Sequence, residues 1–107
     1  MPYSIIIPIY NEYRTIEILL AGLENYYKQK HEIIIIDDGS TDRSLKLLKK
    51  CNFIKLISLK KISGKGFSIV EGLKQSKNDK TVIYDGDLEL HTSQILDLMS
   101  LNREKNI

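Results

Sequence analysis

Four short runs of β-branched and apolar residues punctuate the chain: YSIIIP at 3–8, EIIIID at 32–37, FIKLISL at 53–59 and KTVIYD at 80–85. Ile33 to Ile36 follow one another with no polar alternation, the pattern of a strand covered on both faces, as in a parallel sheet. Between the runs, apolar positions recur at helical spacing. Ile16, Leu19, Leu20, Leu23 and Tyr27 form one stripe, Leu45 and Leu48 begin a second, Phe67, Val70 and Leu73 make a third, and Ile95, Leu96 and Met99 a fourth. Ser40 is the predicted N-cap of the second helix, and Thr92 or Ser93 that of the fourth. Strand followed by helix, four times over, predicts an α/β fold: an open, mostly parallel sheet with helices on both faces and right-handed crossovers.

Such a sheet directs attention to one edge, because ligands bind outside the carboxyl ends of its strands. Every strand here runs into a polar cluster at that edge: PIYNE after the first, DDGSTD after the second, KKISGKG after the third and DGDLE after the fourth. Parallel strands bring the four loops to a common rim. In DDGSTD, Asp37 and Asp38 follow a buried strand and precede a tight turn at Gly39. They are read either as acceptors for nucleobase N–H or ribose hydroxyl groups, or as a turn cap and a solvated acid. Lys65 and Gly66 combine positive charge, close backbone approach and a helix start, the elements of a phosphate cradle. The loop is not a Walker A motif, and it fails the dinucleotide pattern G-x-G-x-x-G because Ile69 stands at the third glycine's place. Asp85, Asp87 and Glu89 alternate, so a continuing strand would crowd three carboxylates on one face. Two readings remain for them, a solvated turn or a divalent cation with oxygen ligands.

Composition narrows the partners. The chain has 107 residues, enough for one domain and small for an enzyme with separate donor and acceptor sites, so 1–107 is read as a single domain truncated on its C-terminal side. With 16 Lys+Arg against 14 Asp+Glu, nothing demands a nucleic-acid partner. Lys55, Lys60, Lys61, Lys65, Lys74, Lys77 and Lys80 do crowd one segment, which is read as a solvated surface or an attractor of phosphate or an anionic membrane face. The single cysteine, Cys51, is read as a small core-filling residue in a reducing, cytoplasmic setting. No apolar run approaches the roughly 18 residues of a membrane span, and the start lacks the features of a secretory signal. Membrane association through a segment beyond Ile107 stays open.

SIIIPIYNE, IIIIDDGSTDRS, GKGFSIVEGLKQSKND and VIYDGDLEL together resemble, in order and spacing, the N-terminal half of family 2 glycosyltransferases, in the branch of dolichol-phosphate mannose synthase and bacterial polyprenyl-phosphate sugar transferases. The resemblance implies the Rossmann-like nucleotide-sugar-binding half of the glycosyltransferase A-type fold and a UDP- or GDP-sugar donor. It implies an acceptor that is a lipid phosphate or a glycan, and work at the cytoplasmic face of a membrane. By position, Pro8, Tyr10 and Glu12 would line the nucleotide pocket, and Asp38, supported by Asp37, would meet the base. Lys65 and Gly66 would lie near the diphosphate. Asp85 would address ribose or sugar, and Asp87 would be the catalytic ligand of Mg²⁺ or Mn²⁺. Glu89 stands where this branch commonly has Gln in the metal shell. The family's acceptor site and catalytic base come from sequence after this half. His91 is the nearby titratable group of suitable pKa, although a phosphate acceptor needs no strong base.

Two rival readings accompany this one. VIYDGDLEL also resembles the strand-terminal D-x-D of haloacid-dehalogenase phosphatases, with Asp85 as nucleophile and Asp87 as acid/base. Against it, the motif sits late in the chain and lacks the Thr or Val that usually follows. The other is a non-catalytic module whose open sheet edge or uncovered apolar face pairs with a second copy as a homo-oligomer.

Overall fold

The computed structural model describes residues 2–84 of the chain. Its elements alternate as β1 (Ser4–Ile9), α1 (Ile16–Lys28), β2 (Glu32–Asp38), α2 (Ser44–Lys49), β3 (Lys55–Leu59), α3 (Lys65–Gln75) and β4 (Thr81–Ile83). The four strands form one sheet in the order β3-β2-β1-β4, and every pairing is parallel. The predicted fourth helix, the D-x-D segment with Asp85, Asp87 and Glu89, and His91 lie outside the described residues.

β1 and β2 are central, and all six residues of β1 are buried. Their isoleucines divide by parity, as a strand requires. Ile5, Ile7, Ile9, Ile33 and Ile35 point to the face covered by α1 and α2, where Ile16, Leu19, Leu23, Tyr26 and Leu48 complete the main core. Ile6, Ile34 and Ile36 point to the other face and pack with Ile57 and Leu59. α3 lies on this second face. From β1 to β3 the chain steps one way along the sheet, and from β3 to β4 it steps back. A single crossover hand therefore puts α3 opposite α1 and α2.

Three predictions at helices fail, each for a legible reason. In α1 the inward position of the last turn is Tyr26, which is buried, whereas Tyr27 is 48% exposed and rests its ring on Phe53. In α3 the predicted stripe is inverted: Phe67, Val70 and Leu73 are exposed, while Ser68 and Gly72 are buried. Gly72 is the cause. A Cβ there would fall 2.6 Å from Ile6 Cγ2 and 2.8 Å from Ile36 Cδ1, so the helix closes on the sheet through its small residues. Its large residues, with Ile83 on the edge strand, make an apolar patch that no described residue covers. Finally, α2 begins at Ser44, not beside Ser40. Ser40 is drawn away because its hydroxyl bonds Asp37. Cys51, just past α2, is only half-buried.

The lysine-rich segment divides between two ends of the sheet. Lys60, Lys61 and Lys65 follow β3 on the carboxyl side, whereas Lys55, Lys74, Lys77 and Lys80 lie on the amino side, where Lys55 Nζ donates to the Gln75 carbonyl. The amino edge is fastened by polar contacts. Ser4 Oγ donates to Glu32 Oε1 at 2.7 Å, the Lys77 N–H reaches the same oxygen, and the Tyr3 N–H donates to His31 Nδ1 at 3.0 Å.

The Tyr3 bond needs an unprotonated Nδ1, and burial lowers the His31 pKa below its ordinary value. Below the unfolded pKa the unfolded chain binds more protons at this site than the folded one, so stability falls as pH drops through that range towards the lowered folded value. Urea midpoints are expected to decrease from pH 7.5 to 5.5. His31→Asn, which offers an amide oxygen near the Nδ1 position, is expected to flatten that slope, and an unchanged slope would show that another group sets it.

Candidate functional site

In the order β3-β2-β1-β4 the winding reverses at β1. The segments after β1 and before β4 run over opposite faces, leaving a crevice at the carboxyl end of β1. A cavity of about 270 Å³ opens there, lined by Pro8, Ile9, Tyr10, Glu12, Asp38, Ile62 and Lys65. Five residues predicted separately from three loops thus share one concavity: Pro8, Tyr10, Glu12, Asp38 and Lys65. Tyr10 leaves 40% of its surface open and Ile62 leaves 58%, so the cavity offers apolar surface as well as two carboxylates and an ammonium.

The β2–α2 turn holds the rim together. Asp37 is buried, and its carboxylate accepts from the Ser40 hydroxyl and the Ser40 N–H, closing the turn on itself. Asp38, 6% exposed, faces the third loop: Oδ1 accepts from the Ser63 N–H at 2.7 Å and Oδ2 from the Gly64 N–H at 3.0 Å. Between the two rims the backbones touch at Gly39. With φ at +71°, a Cβ on this residue would lie 2.5 Å from the Lys61 carbonyl carbon and 2.6 Å from the Ile62 nitrogen. Gly64, at φ +97°, turns the loop into α3. The clasp therefore fixes Ile62 and Lys65, the two cavity residues of the third loop.

The first loop is tied to the same turn from the other side. The Glu12 N–H donates to Ser44 Oγ at 3.0 Å, and the Tyr13 N–H to Asp42 Oδ2 at 3.2 Å. Asp42 also accepts from the Ser44 N–H at 2.8 Å. Burial alone would raise the Asp42 pKa, but hydrogen bonds from the Ser44 hydroxyl and from the Ser44 and Tyr13 N–H groups outweigh it and hold the carboxyl below its ordinary value. Asn11 stands at φ +50° between cavity residues Tyr10 and Glu12.

The remaining predicted positions separate. Asp37 sits beneath the turn and does not line the cavity, and Gly66, in the first turn of α3, does not line it either. A Cβ at Gly66 would meet nothing within 4 Å among the described residues, so close packing there does not demand glycine. Among the described residues, no three of His, Cys, Asp or Glu gather as a cation site. Ile62, Ser63 and Asn11 were not singled out by sequence. Only Asn11 carried a signal, since Asn adopts positive φ more readily than most residues.

An open parallel α/β sheet with a polar crevice at its switch point defines a nucleotide-binding class of fold. The sequence model of glycosyl transferase family 2 matches residues 4–106, and the chain belongs to that family. Among relatives, it is 31% identical over 109 residues to the undecaprenyl-phosphate 4-deoxy-4-formamido-L-arabinose transferase of Proteus mirabilis, covering 94% of this chain and 33% of that one. The crystal structure of S. aureus TarS 1-349 in complex with UDP superposes with a TM-score of 0.77 at 28% identity, over 97% of this chain and 32% of that one. The mannosyltransferase PcManGT from Pyrobaculum calidifontis, solved with GDP-Man and Mn²⁺, superposes with a TM-score of 0.71 at 25% identity, over 79% and 27%. The chain spans about a third of the length of the relatives it matches. A match running from 4 to 106 takes in the D-x-D segment and sets aside the phosphatase reading of it.

Proposed function

We propose that this chain is the donor-binding part of a glycosyltransferase that takes a sugar from a UDP- or GDP-sugar and passes it to a lipid phosphate or a glycan. One observation carries the reading: Pro8, Tyr10, Glu12, Asp38 and Lys65 line a single cavity at the switch point of the sheet. Tyr10 offers an aromatic face to the base. Glu12 and Asp38 offer acceptors to base N–H or ribose hydroxyl groups. Lys65 stands at the N-terminus of α3, where its charge and the positive end of the helix dipole favour a diphosphate.

In the transfer, the bond from sugar C1 to the diphosphate oxygen breaks and its electron pair leaves with the nucleoside diphosphate. A bond from C1 to the acceptor oxygen forms, and any proton on that oxygen is lost to solvent or to a base. Asp85, Asp87 and Glu89 lie outside the described residues, and the carboxylates of the cavity do not form a cation site by themselves. A divalent cation therefore enters the proposal through resemblance: Asp87, with Glu89, would hold Mg²⁺ or Mn²⁺, which when bound offsets charge on the diphosphate. Among the relatives is an undecaprenyl-phosphate 4-deoxy-4-formamido-L-arabinose transferase, which supports a polyprenyl phosphate as acceptor; with such an acceptor the chain would work peripherally at a cytoplasmic membrane face. No described helix is long and apolar enough to cross a membrane.

Calorimetric titration of the chain with UDP and GDP, with and without Mn²⁺, tests the donor site. One of the two nucleotides is expected to bind, more tightly with Mn²⁺, and Asp87→Ala is expected to abolish the gain from metal. Binding of neither nucleotide would overturn the reading, and binding indifferent to Mn²⁺ would remove Asp87 from it.

A further inference from the structure

The β1–α1 loop supplies Tyr10 and Glu12 to the cavity, yet the residue between them faces elsewhere. Asn11 is not among the cavity's lining residues and is tied to Ser40, Thr41 and Asp42 of the β2–α2 turn by five hydrogen bonds. Its N–H donates to Ser40 Oγ at 3.0 Å, and its Nδ2 donates to Thr41 Oγ1 at 3.2 Å. Its Oδ1 accepts from the Thr41 N–H at 2.8 Å, the Asp42 N–H at 3.3 Å and, more weakly, the Thr41 hydroxyl at 3.5 Å. Ser40 is in turn held by Asp37. The chain from the buried end of β2 to the first loop is thus a continuous series of hydrogen bonds, with Asn11 as its last member.

We propose that Asn11 is a positioning residue for nucleotide binding: its side chain staples the first rim loop to the second and so sets Tyr10 and Glu12 in the cavity. The residue type fits three demands at once. Asn tolerates a backbone φ of +50°, its amide oxygen satisfies two turn N–H groups, and its amide nitrogen supplies a donor to Thr41. Aspartate meets the first two demands and fails the third. Glycine meets only the first. Alanine meets none and adds backbone strain.

This inference rests on the donor-site reading above, and its test separates the two. Asn11→Gly, Asn11→Asp and Asn11→Ala are made in the full 107-residue chain and titrated with UDP and GDP in the presence of Mn²⁺. Asn11→Gly keeps the backbone angle and is expected to bind the preferred nucleotide about tenfold more weakly or worse, the scale of losing two to three hydrogen bonds. Asn11→Asp is expected to recover part of that loss because its carboxylate still accepts from Thr41 and Asp42. A positioning role also predicts coupling: the effect of Asn11→Gly should shrink in a Tyr10→Ala background, whereas a general loss of stability would leave it unchanged. Amide exchange in the ligand-free chain gives a readout independent of binding. In Asn11→Gly the Thr41, Asp42 and Glu12 amides are expected to exchange faster while those of β1 and β2 keep their protection. If the parent binds neither nucleotide, the donor-site reading fails and the amide pattern alone decides whether Asn11 sets the loop. Asn11→Gly with parental affinity, or with unchanged exchange at these amides, overturns the inference.

Discussion

Replacing Asp38 with asparagine is expected to weaken nucleotide binding at least tenfold and to lower the stability of the chain by about 1–3 kcal/mol, although the two side chains have nearly the same shape. The carboxylate presents one oxygen to the Ser63 N–H and the other to the Gly64 N–H. An amide has a single acceptor oxygen, so one N–H is left facing an NH₂ group inside the clasp, and an unsatisfied donor in a place only 6% exposed bears most of its desolvation cost. Loosening Ser63 and Gly64 also frees Ile62 and Lys65, so the cavity loses its third-loop wall together with the carboxylate proposed to address the base. Thermal unfolding and nucleotide titration on the same sample check both halves. Unaltered affinity in a destabilised Asp38→Asn chain would confine Asp38 to the clasp and remove it from the list of ligand contacts.

Gly72→Val is expected to be the most damaging single change to the fold. The added Cβ must enter space held by Ile6 Cγ2 and Ile36 Cδ1, both on strands at the centre of the sheet. Helix propensity favours the substitution by a few tenths of a kcal/mol, but overpacking typically costs about 1–3 kcal/mol and here would push α3 off two strands at once. For a domain of this size that is a fall in melting temperature on the order of 10 °C. Calorimetry of Gly72→Val beside Gly72→Ala would reveal the steric origin. An alanine variant as stable as the parent would mean that α3 can withdraw from the sheet at little cost. α3 carries Lys65 at its first turn, so a displaced helix should also reduce nucleotide affinity.

The sheet was legible because its signal is local and redundant. Four β-branched runs, separated by helical spacing, leave one topology class, and the observed strands start and end within about two residues of the runs. The shared rim was legible for the same reason, since parallel strands must deliver their loops to one edge. Helix faces were less so. In α3 the hydrophobic period is real, yet it marks the side turned away from the described sheet, because Gly72 and Ser68 allow an approach that larger side chains would block. Nothing in the spacing of Phe67, Val70 and Leu73 distinguishes the two faces. The clasp was hidden for a different reason. Asp38, Ser63 and Gly64 lie 25 and 26 residues apart, and a carboxylate after a strand reads equally well as a ligand group, a cap or a solvated acid until the backbone N–H groups opposite it are known. Asp37 shows the ambiguity resolved the other way, as a residue of the turn itself.

β1 is hydrogen-bonded along both sides, to β2 from Ser4↔Glu32 onward and to β4 from Ser4↔Thr81 onward. During synthesis β1 therefore waits for more than seventy further residues before its second edge is satisfied. Loop closure over that distance is slow compared with local helix formation. Throughout the wait, the run Ile5, Ile6 and Ile7 is a sticky, uncharged β-former with an open edge. Synthesis in the cell thus favours conditions that shield β1 until β4 is made, and refolding from denaturant favours dilute protein.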